Sequence, residues 1–325
     1  MNSNKLTEND AMTKNSYARA DGLDQNTIDI SVIVPFHNAE KHIEQCITAL
    51  LSQSFPSSFY EIIMVDNNST DNSIKVIMKY PQIKLLSEKK QGSYAARNRG
   101  VAESKGSVIA FTDSDCIPVP EWLDRISASL DSPSVGIIQG GRFYTTESTG
   151  LLLLEAYESE RAVYTFSSKS AGLHYGYTNN MAVRRGVFDR CGPFLEVMRG
   201  ADSIFVNRAI EEYSSEIIRY VPDAAIRHLE ITGVRNYFRK RFIYGRSLEQ
   251  NYTIRKKTHR KMTFAERYEI IRATIERRSY SLFESLYLII LVFTGIVCFT
   301  SGRISVRIEN LYRMLSGLIR NRHKR

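Results

Sequence analysis

From residue 28 onward, short apolar runs alternate with stretches of helical periodicity. Residues 28–34 (I-D-I-S-V-I-V) predict a strand that stops at Pro35, since proline cannot donate to a ladder. Ile43, Ile47, Leu50 and Leu51 recur at helical spacing, with Asn38 placed to cap the start. Residues 62–65 give a second strand, followed by D-N-N-S-T-D, in which Ser69 or Thr70 can cap a helix carrying Ile74, Val76 and Ile77. A third strand is expected at 83–86, a helix at 92–102, a fourth strand in the unbroken V-I-A-F at 108–111, and a fifth at 135–138. Strands alternating with helices at this spacing predict parallel βαβ units. The fold class is therefore α/β, a mostly parallel twisted sheet flanked by helices. After Gly140-Gly141 the alternation fades into helices at 151–164 and 203–213, a short strand at 217–221 and a helix at 231–250. Residues 1–27 are polar, lack the apolar core of a secretory signal, and read as a disordered leader.

Charge divides the chain. Net charge is +9, but residues 231–325 hold 21 Lys/Arg against 6 Asp/Glu, a balance of +15 that leaves −6 before them. The basic character thus belongs to the tail and points to an acidic surface such as anionic lipid rather than to nucleic acid. Within the tail, 18 uncharged, mostly apolar residues separate Glu284 from Arg303. A helix of that length reaches ~27 Å, the lower limit for a span. Basic residues flank it on both sides (Arg272, Arg277 and Arg278; Arg303, Arg307, Arg313 and Arg320), which conflicts with the positive-inside tendency of a single crossing. An interfacial or re-entrant segment over 282–302 is preferred, with a single span and a soluble packing helix as the alternatives. The four cysteines are widely spaced and form no C-x-x-C pair, which suggests a reducing compartment and argues against a zinc or disulfide framework.

The chemistry concentrates after the fourth strand, at Asp113-Ser114-Asp115. In an extended segment those two carboxylates share a side and repel unless a proton or cation lies between them. At the carboxyl end of a buried strand the fitting occupant is a divalent metal carrying phosphates, although a polar loop with capping aspartates has the same composition. Residues 35–40, Asp66, the Asp113/Asp115 pair, Asp202 and His228 all follow strands or precede helices, so one rim should gather them. No G-x-G-x-x-G follows the first strand and no G-x-x-x-x-G-K-[ST] occurs, which removes the main support for dinucleotide and P-loop readings.

At this point S-V-I-V-P-F-H-N-A-E, E-I-I-M-V-D-N-N-S-T-D, A-A-R-N-R-G, F-T-D-S-D-C-I-P, N-N-M-A-V-R-R, G-A-D and Y-V-P-D-A-A-I-R-H resemble, in order and spacing, the inverting family 2 glycosyltransferases of GT-A fold. The resemblance covers residues 28–230, divided into a nucleotide-binding half (28–139) and an acceptor half (140–230), and leaves 231–325 as a helical, membrane-associated extension. It implies that Pro35, Phe36, Asn38 and Glu40 cradle base and ribose, that Asp66 bonds the base, and that Arg97 lies near the nucleotide with Asp113 and Ser114. It implies Mg²⁺ or Mn²⁺ held by Asp113, Asp115 and His228, with Asp115 the likelier direct ligand. Asp202 matches the general base, Asn180 and Arg184 match positions near donor or acceptor, and Ala201 departs from the glutamate usual there. The expected partners are a nucleotide-sugar donor, UDP-linked by the resemblance, a glycan or lipid-linked acceptor and an anionic membrane surface, on the cytoplasmic face of the cell membrane. A nucleotidyltransferase making nucleotide-sugars and a degenerate glycan-binding scaffold are the alternatives.

Overall fold

A computed structural model describes residues 28–144, 146–251, 260 and 262–322, so the polar leader at 1–27 lies outside the described residues. Eight strands form one sheet in the order β3-β2-β1-β4-β7-β6-β8-β5. The strands are β1 (Ile30–Phe36), β2 (Tyr60–Asp66), β3 (Lys84–Ser87), β4 (Val108–Thr112), β5 (Cys116–Pro118), β6 (Ile137–Tyr144), β7 (Asn180–Arg184) and β8 (Ile218–His228). Around them lie helices α1 (Ile43–Leu51), α2 (Ser73–Ile77), α3 (Ser93–Ala102), α4 (Trp122–Ser129), α5 (Thr149–Ser167), α6 (Arg185–Cys191), α7 (Ala201–Glu212), α8 (Val234–Gln250), α9 (Phe264–Arg278) and α10 (Leu282–Arg322).

Side-chain alternation along β1 explains the layering. Ile30, Val32, Val34 and Phe36 join one apolar cluster with α1 and α4, while Ile33 joins the other with Ile63, Val65, Ile109 and Phe111 beneath α3 and α7. Each fully buried Ile or Phe contributes ~1.5–3 kcal/mol, so the central strands have no exposed face to spare.

Four expectations need correcting. The first strand runs through Pro35 to Phe36: Phe36 C=O accepts from Asn67 N (2.9 Å), which turns Pro35 toward the β4 side, where pairing has already ended at Ile33. Its missing N–H therefore costs no ladder bond. Asn38 does not cap α1. It adopts a positive φ of 50° and its amide oxygen takes Thr70 N at 2.8 Å, joining two loops. Ser69 and Thr70 do not cap α2 either; Asp71 accepts from Ser73 N (3.0 Å). The mostly parallel sheet holds, with β3-β2-β1-β4 and β6-β8 paired parallel, while β7 enters antiparallel to both β4 and β6 and β5 antiparallel to β8. Finally, the strand expected at 217–221 continues to His228. A register shift between Gly140 and Arg142 on β6 lets β8 bulge through Pro222 and resume at Ile226. The shift needs glycine: a Cβ at Gly141 would lie 2.1 Å from Pro222 O.

The tail builds a third apolar cluster, in which Tyr237, Ile270, Leu288, Leu291 and Val292 pack on Leu151, Leu154 and Tyr157 of α5. Helix α8 and helix α10 run side by side and approach backbone to backbone: a Cβ at Gly245 would meet Phe299 O at 1.9 Å, and one at Gly302 would meet Phe242 O at 2.1 Å. Residues Leu282–Leu315 are long and apolar enough to cross a membrane by length and composition. Their outward side carries Phe283 (78% exposed), Ile290 (61%) and Phe293 (64%).

Candidate active site

The rim at the carboxyl ends of β1 and β4 opens into a cavity of about 820 Å³. It is lined by Pro35, Phe36 and Asn38, by Arg97, Asp113, Ser114 and Asp115, and by Asn236, Arg239, Lys240 and Ile243 of α8.

Asp113 and Asp115 are not extended. Cys116 N donates to Asp113 O (3.0 Å), so residues 113–116 form a turn and the two carboxylates go to different partners. Asp113 forms an ion pair with Arg97, whose side chain is 4% exposed. Helix α3 delivers this arginine because Gly92, at φ +134°, makes a sharp entry and donates its N–H to Asn67 Oδ1 (2.7 Å). Asp115 faces His228. The bulged β8 pairs His228 with Cys116, and Leu229 N donates to Asp115 O (2.9 Å), which holds His228 Nδ1 3.4 Å from Asp115 Oδ2.

This pair is not an ion pair. Burial, with Lys240, Arg142 and His42 adding repulsion, pushes the His228 pKa down to about 3, so the imidazole is neutral. Burial, Asp113 and Glu230 push Asp115 up to about 7. A neutral imidazole nitrogen and a carboxylate oxygen at that separation are close enough for one divalent cation to be held by both. Cys116 Sγ lies within the same cluster, but burial raises its thiol far above the usual range and the S–H donates to Asp115 Oδ1 (3.5 Å). The usable donors are therefore carboxylate and imidazole, which suit Mg²⁺ or Mn²⁺ better than a thiolate-preferring ion.

Asp202 sits in the first turn of α7, behind Gly200 as N-cap. It accepts from Ser203 N (2.8 Å) and Thr178 N (3.4 Å), beside the Tyr94 hydroxyl and within the field of Arg97. Burial outweighs those contacts and raises its pKa. Arg97 thus links Asp113 and Asp202 electrostatically, bringing together acids 89 residues apart in sequence.

Other expected residues are placed differently. Glu40 and Asp66 stand behind the cavity wall: Glu40 accepts from Asn72 Nδ2 (2.9 Å) and Asp66 accepts from Ser69 N (3.0 Å), both bracing the loop after β2. Asn180 is fully engaged in the interior, donating to Gly141 O (2.6 Å) and Ala224 O (2.8 Å) and accepting from Trp122 Nε1 (2.8 Å), so no part of its amide is free for a substrate. Arg184 donates to Val135 O (2.8 Å) at the end of the sheet opposite the cavity, where it pairs with Val108.

The contribution of α8 was missed by assigning its charge to a membrane surface. Asn236, Arg239, Lys240 and Ile243 stand at i, i+3, i+4 and i+7, one helical stripe, and that spacing was the available signal. Lys240 Nζ lies 3.1 Å from His228 Nε2 and 3.5 Å from Glu230 Oε2. The tail's basic balance therefore bears on the Asp113/Asp115 site after all.

Residues 31–192, half of the chain, match the model of the family "Glycosyl transferase family 2". The chain belongs to glycosyl transferase family 2. It is 34% identical over 188 residues to glycosyltransferase AglE of Haloferax volcanii, covering 56% of this chain and 61% of AglE. It is 31% identical over 126 residues to glycosyltransferase GlyG of Streptococcus pneumoniae, covering 37% of this chain and 41% of that one. The chain thus spans about three fifths or less of the length of these curated relatives. The solved mannosyltransferase PcManGT of Pyrobaculum calidifontis shares the architecture over 88% of both chains, with a TM-score of 0.60 and 17% identity. The fold is thus the GT-A α/β type that the motifs implied. The family match ends before Asp202, His228 and the tail; Asp202 and His228 do not line the cavity themselves, while Asn236, Arg239, Lys240 and Ile243 of the tail do.

Proposed function

We propose that this family 2 chain is an inverting, divalent-metal-dependent glycosyltransferase that moves a sugar from a nucleoside-diphosphate sugar, with UDP the expected nucleotide, to a hydroxyl of a lipid-linked or surface-glycan acceptor. What supports it most is Arg97, paired with Asp113 and within the field of Asp202, in a cavity also lined by Asp115, whose carboxylate faces His228. Asp115 and His228, with Asp113 alongside, would hold the cation. When bound, that ion supplies Lewis-acid stabilisation of the diphosphate leaving group. Pro35, Phe36 and Asn38 receive the base and ribose, and Arg97 orients Asp113 while offsetting charge near the phosphates. Asp202 accepts the acceptor's proton as its oxygen attacks the anomeric carbon opposite the leaving group, a single displacement that inverts configuration. Ala201, in place of the usual glutamate, is fully buried in the aromatic cluster around Phe205. Acceptor orientation therefore falls to other groups.

Membrane attachment through α10 is part of the same proposal. Helix α8 lies along α10 over Gly295–Gly302 while its other face lines the charged cavity, so a crossing there would carry Arg239 and Lys240 to membrane depth. A helix lying in the interface, with Phe283, Ile290 and Phe293 toward lipid, avoids that cost. The cytoplasmic face is the expected side. A nucleotidyltransferase would need a glycine-rich basic loop where Pro35–Glu40 stands, and a non-catalytic scaffold has no use for Asp202 beside Arg97.

A thermal-shift panel of UDP- and GDP-sugars with and without Mn²⁺ tests the reading. Stabilisation that needs both ligands supports it, and transfer with inversion, read by NMR of the product's anomeric proton, completes it. No stabilisation by any nucleotide-sugar overturns it.

A further inference from the structure

A group of arginines beyond the nucleotide cavity has no part in the chemistry described so far. Arg142 stands on β6 just past the Gly140-Gly141 bulge, two residues before Tyr144, which pairs with His228. Its guanidinium lies over the Tyr177 ring at 3.8 Å and has neither an ion pair nor a hydrogen bond among the described residues. The side chain is half-buried, and Tyr144, Tyr175 and Tyr244 lie within its field. A guanidinium that rests on an aromatic face and has no carboxylate partner keeps its N–H donors for an oxyanion.

The surroundings are short of negative charge. On α5, Glu158 pairs with Arg161, stands 4.0 Å from Arg241 of α8, accepts from the Tyr237 hydroxyl (2.5 Å) and also lies within the field of Arg142. Even with Glu155, which accepts from Tyr144 N (2.6 Å), two carboxylates serve three guanidiniums. The Arg161 Nε, the Arg241 Nε and the Tyr175 hydroxyl are buried with no hydrogen-bond partner. Arg161 lies 5.4 Å from the Tyr175 ring, and the Tyr175 and Tyr177 rings are 5.8 Å apart, so this group is continuous with Arg142. Buried donors without partners are costly, and a ligand rich in acceptor oxygens removes that cost.

The location is next to the proposed base. Thr178, which follows Tyr177, donates its N–H to Asp202 Oδ2 (3.4 Å), so Arg142 stacks on the loop that holds Asp202. Helix α8, which brings Arg241 and Tyr244, packs on the apolar α10. With Ala201 buried, Arg142 is a charged group on the Asp202 side able to orient an acceptor.

We propose that Arg142, with Tyr175 and the neighbouring Arg161 and Arg241, forms an acceptor subsite for a phosphate group carried by the molecule that is glycosylated. Phosphate suits it better than carboxylate because it offers more than two oxygens to several unpaired donors. This rests on the glycosyltransferase reading above and adds to it the chemical class of the acceptor.

The test is calorimetry on the full chain in detergent, with Mn²⁺ and UDP or GDP saturating so that the donor side is filled. The probes are farnesyl phosphate, farnesol, glycerol 3-phosphate and glucuronate. A phosphate should bind, with farnesol at least tenfold weaker than farnesyl phosphate and glucuronate at least tenfold weaker than glycerol 3-phosphate. Tighter binding of farnesyl phosphate assigns the group to a lipid, and equal or tighter binding of glycerol 3-phosphate assigns it to a soluble glycan. Arg142→Met should lose at least tenfold in phosphate affinity while nucleotide affinity in Mn²⁺ stays within twofold of wild type. Arg142→Lys keeps the charge over Tyr177 but not the fork; it should lose phosphate affinity several-fold, and it decides the matter if the methionine variant does not fold. Arg235→Met, on the exposed side of α8, should match wild type throughout. An arginine with only a structural role would weaken nucleotide and phosphate binding together. That joint loss, phosphate affinity unchanged in the variants, glucuronate binding as tight as glycerol 3-phosphate, or a nucleotide-loaded wild type that binds neither phosphate overturns the proposal and leaves the glycosyltransferase reading intact. A wild-type chain that binds no nucleotide with Mn²⁺ overturns the reading itself, and this proposal with it.

Discussion

Replacing Asp115 with asparagine should stabilise the metal-free protein while abolishing its response to metal. The carboxyl is buried beside Asp113 and Glu230, and its pKa rises to about 7. Ionising it at pH 8 therefore costs ~4 kcal/mol more in the folded protein than for an ordinary carboxylate of pKa ~3.9. Relaxation of Asp113 and His228 reduces this to roughly 2–4 kcal/mol. Asparagine keeps the shape and removes the charge, so Tm in EDTA at pH 8 should rise by about 4–8 °C. The sign follows from linkage. The folded state holds this proton more tightly than the unfolded chain, so native stability falls as pH rises from about 4 to about 7. The Asp115→Asn advantage should widen over that window and be flat above it. In Mn²⁺ the wild type should gain stability by mass action and the variant should gain none. Thermal unfolding of both proteins at pH 5 and pH 8, with EDTA or Mn²⁺, measures all of this. An Asp115→Asn protein that is less stable than wild type in EDTA, or that keeps the Mn²⁺ gain, would refute the claim that Asp115 is a strained metal ligand.

Three further outcomes follow from the geometry. Asp202→Asn should lower kcat by 10²-fold or more, while Tm at pH 8 stays equal or rises, since burial already disfavours this carboxylate. The acidic limb of the wild-type kcat/KM profile should correspondingly lie above the ordinary carboxylate range, because the base is lost as pH falls through a raised pKa; a limb near pH 4 excludes Asp202 as that base. Gly245→Ala forces a Cβ to within 1.9 Å of Phe299 O and should cost roughly 3 kcal/mol in urea unfolding, whereas Gly295→Ala, whose nearest neighbour is 3.8 Å away, should be neutral or gain up to ~1 kcal/mol of helix propensity. Equal effects at the two glycines would refute the close α8–α10 crossing. Removing residues 281–325 should move the protein from the vesicle fraction to the soluble one in flotation on anionic liposomes, and unchanged partition would rule out α10 as the anchor.

Residues 28–139 were legible because their strands are buried on both faces and their motifs end those strands. Val108–Phe111 and Ile62–Val65 announce themselves by composition, and the acids after them inherit a common rim from parallel pairing. Legibility failed where tertiary contacts outvote local chemistry. Asn38 has the residue type of a cap, yet its partner is Thr70, 32 residues away. Asn180 lies in a motif of the family resemblance, yet each of its bonds is to the interior. Pro222 looks like a strand terminator, and only the partner strand's Gly140-Gly141 reveals that the chain can bulge and continue to His228.

The least legible feature is that α8 serves two surfaces at once. Its sequence mixes Tyr237, Phe242 and Gly245, which face α5 and α10, with Asn236, Arg239 and Lys240, which face the cavity. Read as composition this is a basic, aromatic stretch suited to lipid. Read as a helix with two faces, it is the partition between the apolar tail and the charged site. That geometry joins the tail to the cavity wall. Any force that shifts α10 relative to the sheet must act through the Gly245–Gly302 crossing on the helix that carries Lys240. The crossing leaves no slack, since backbone already touches backbone, so a displacement there has to be transmitted to the cavity wall or break the Glu249–Arg303–Arg307 contacts that lock it.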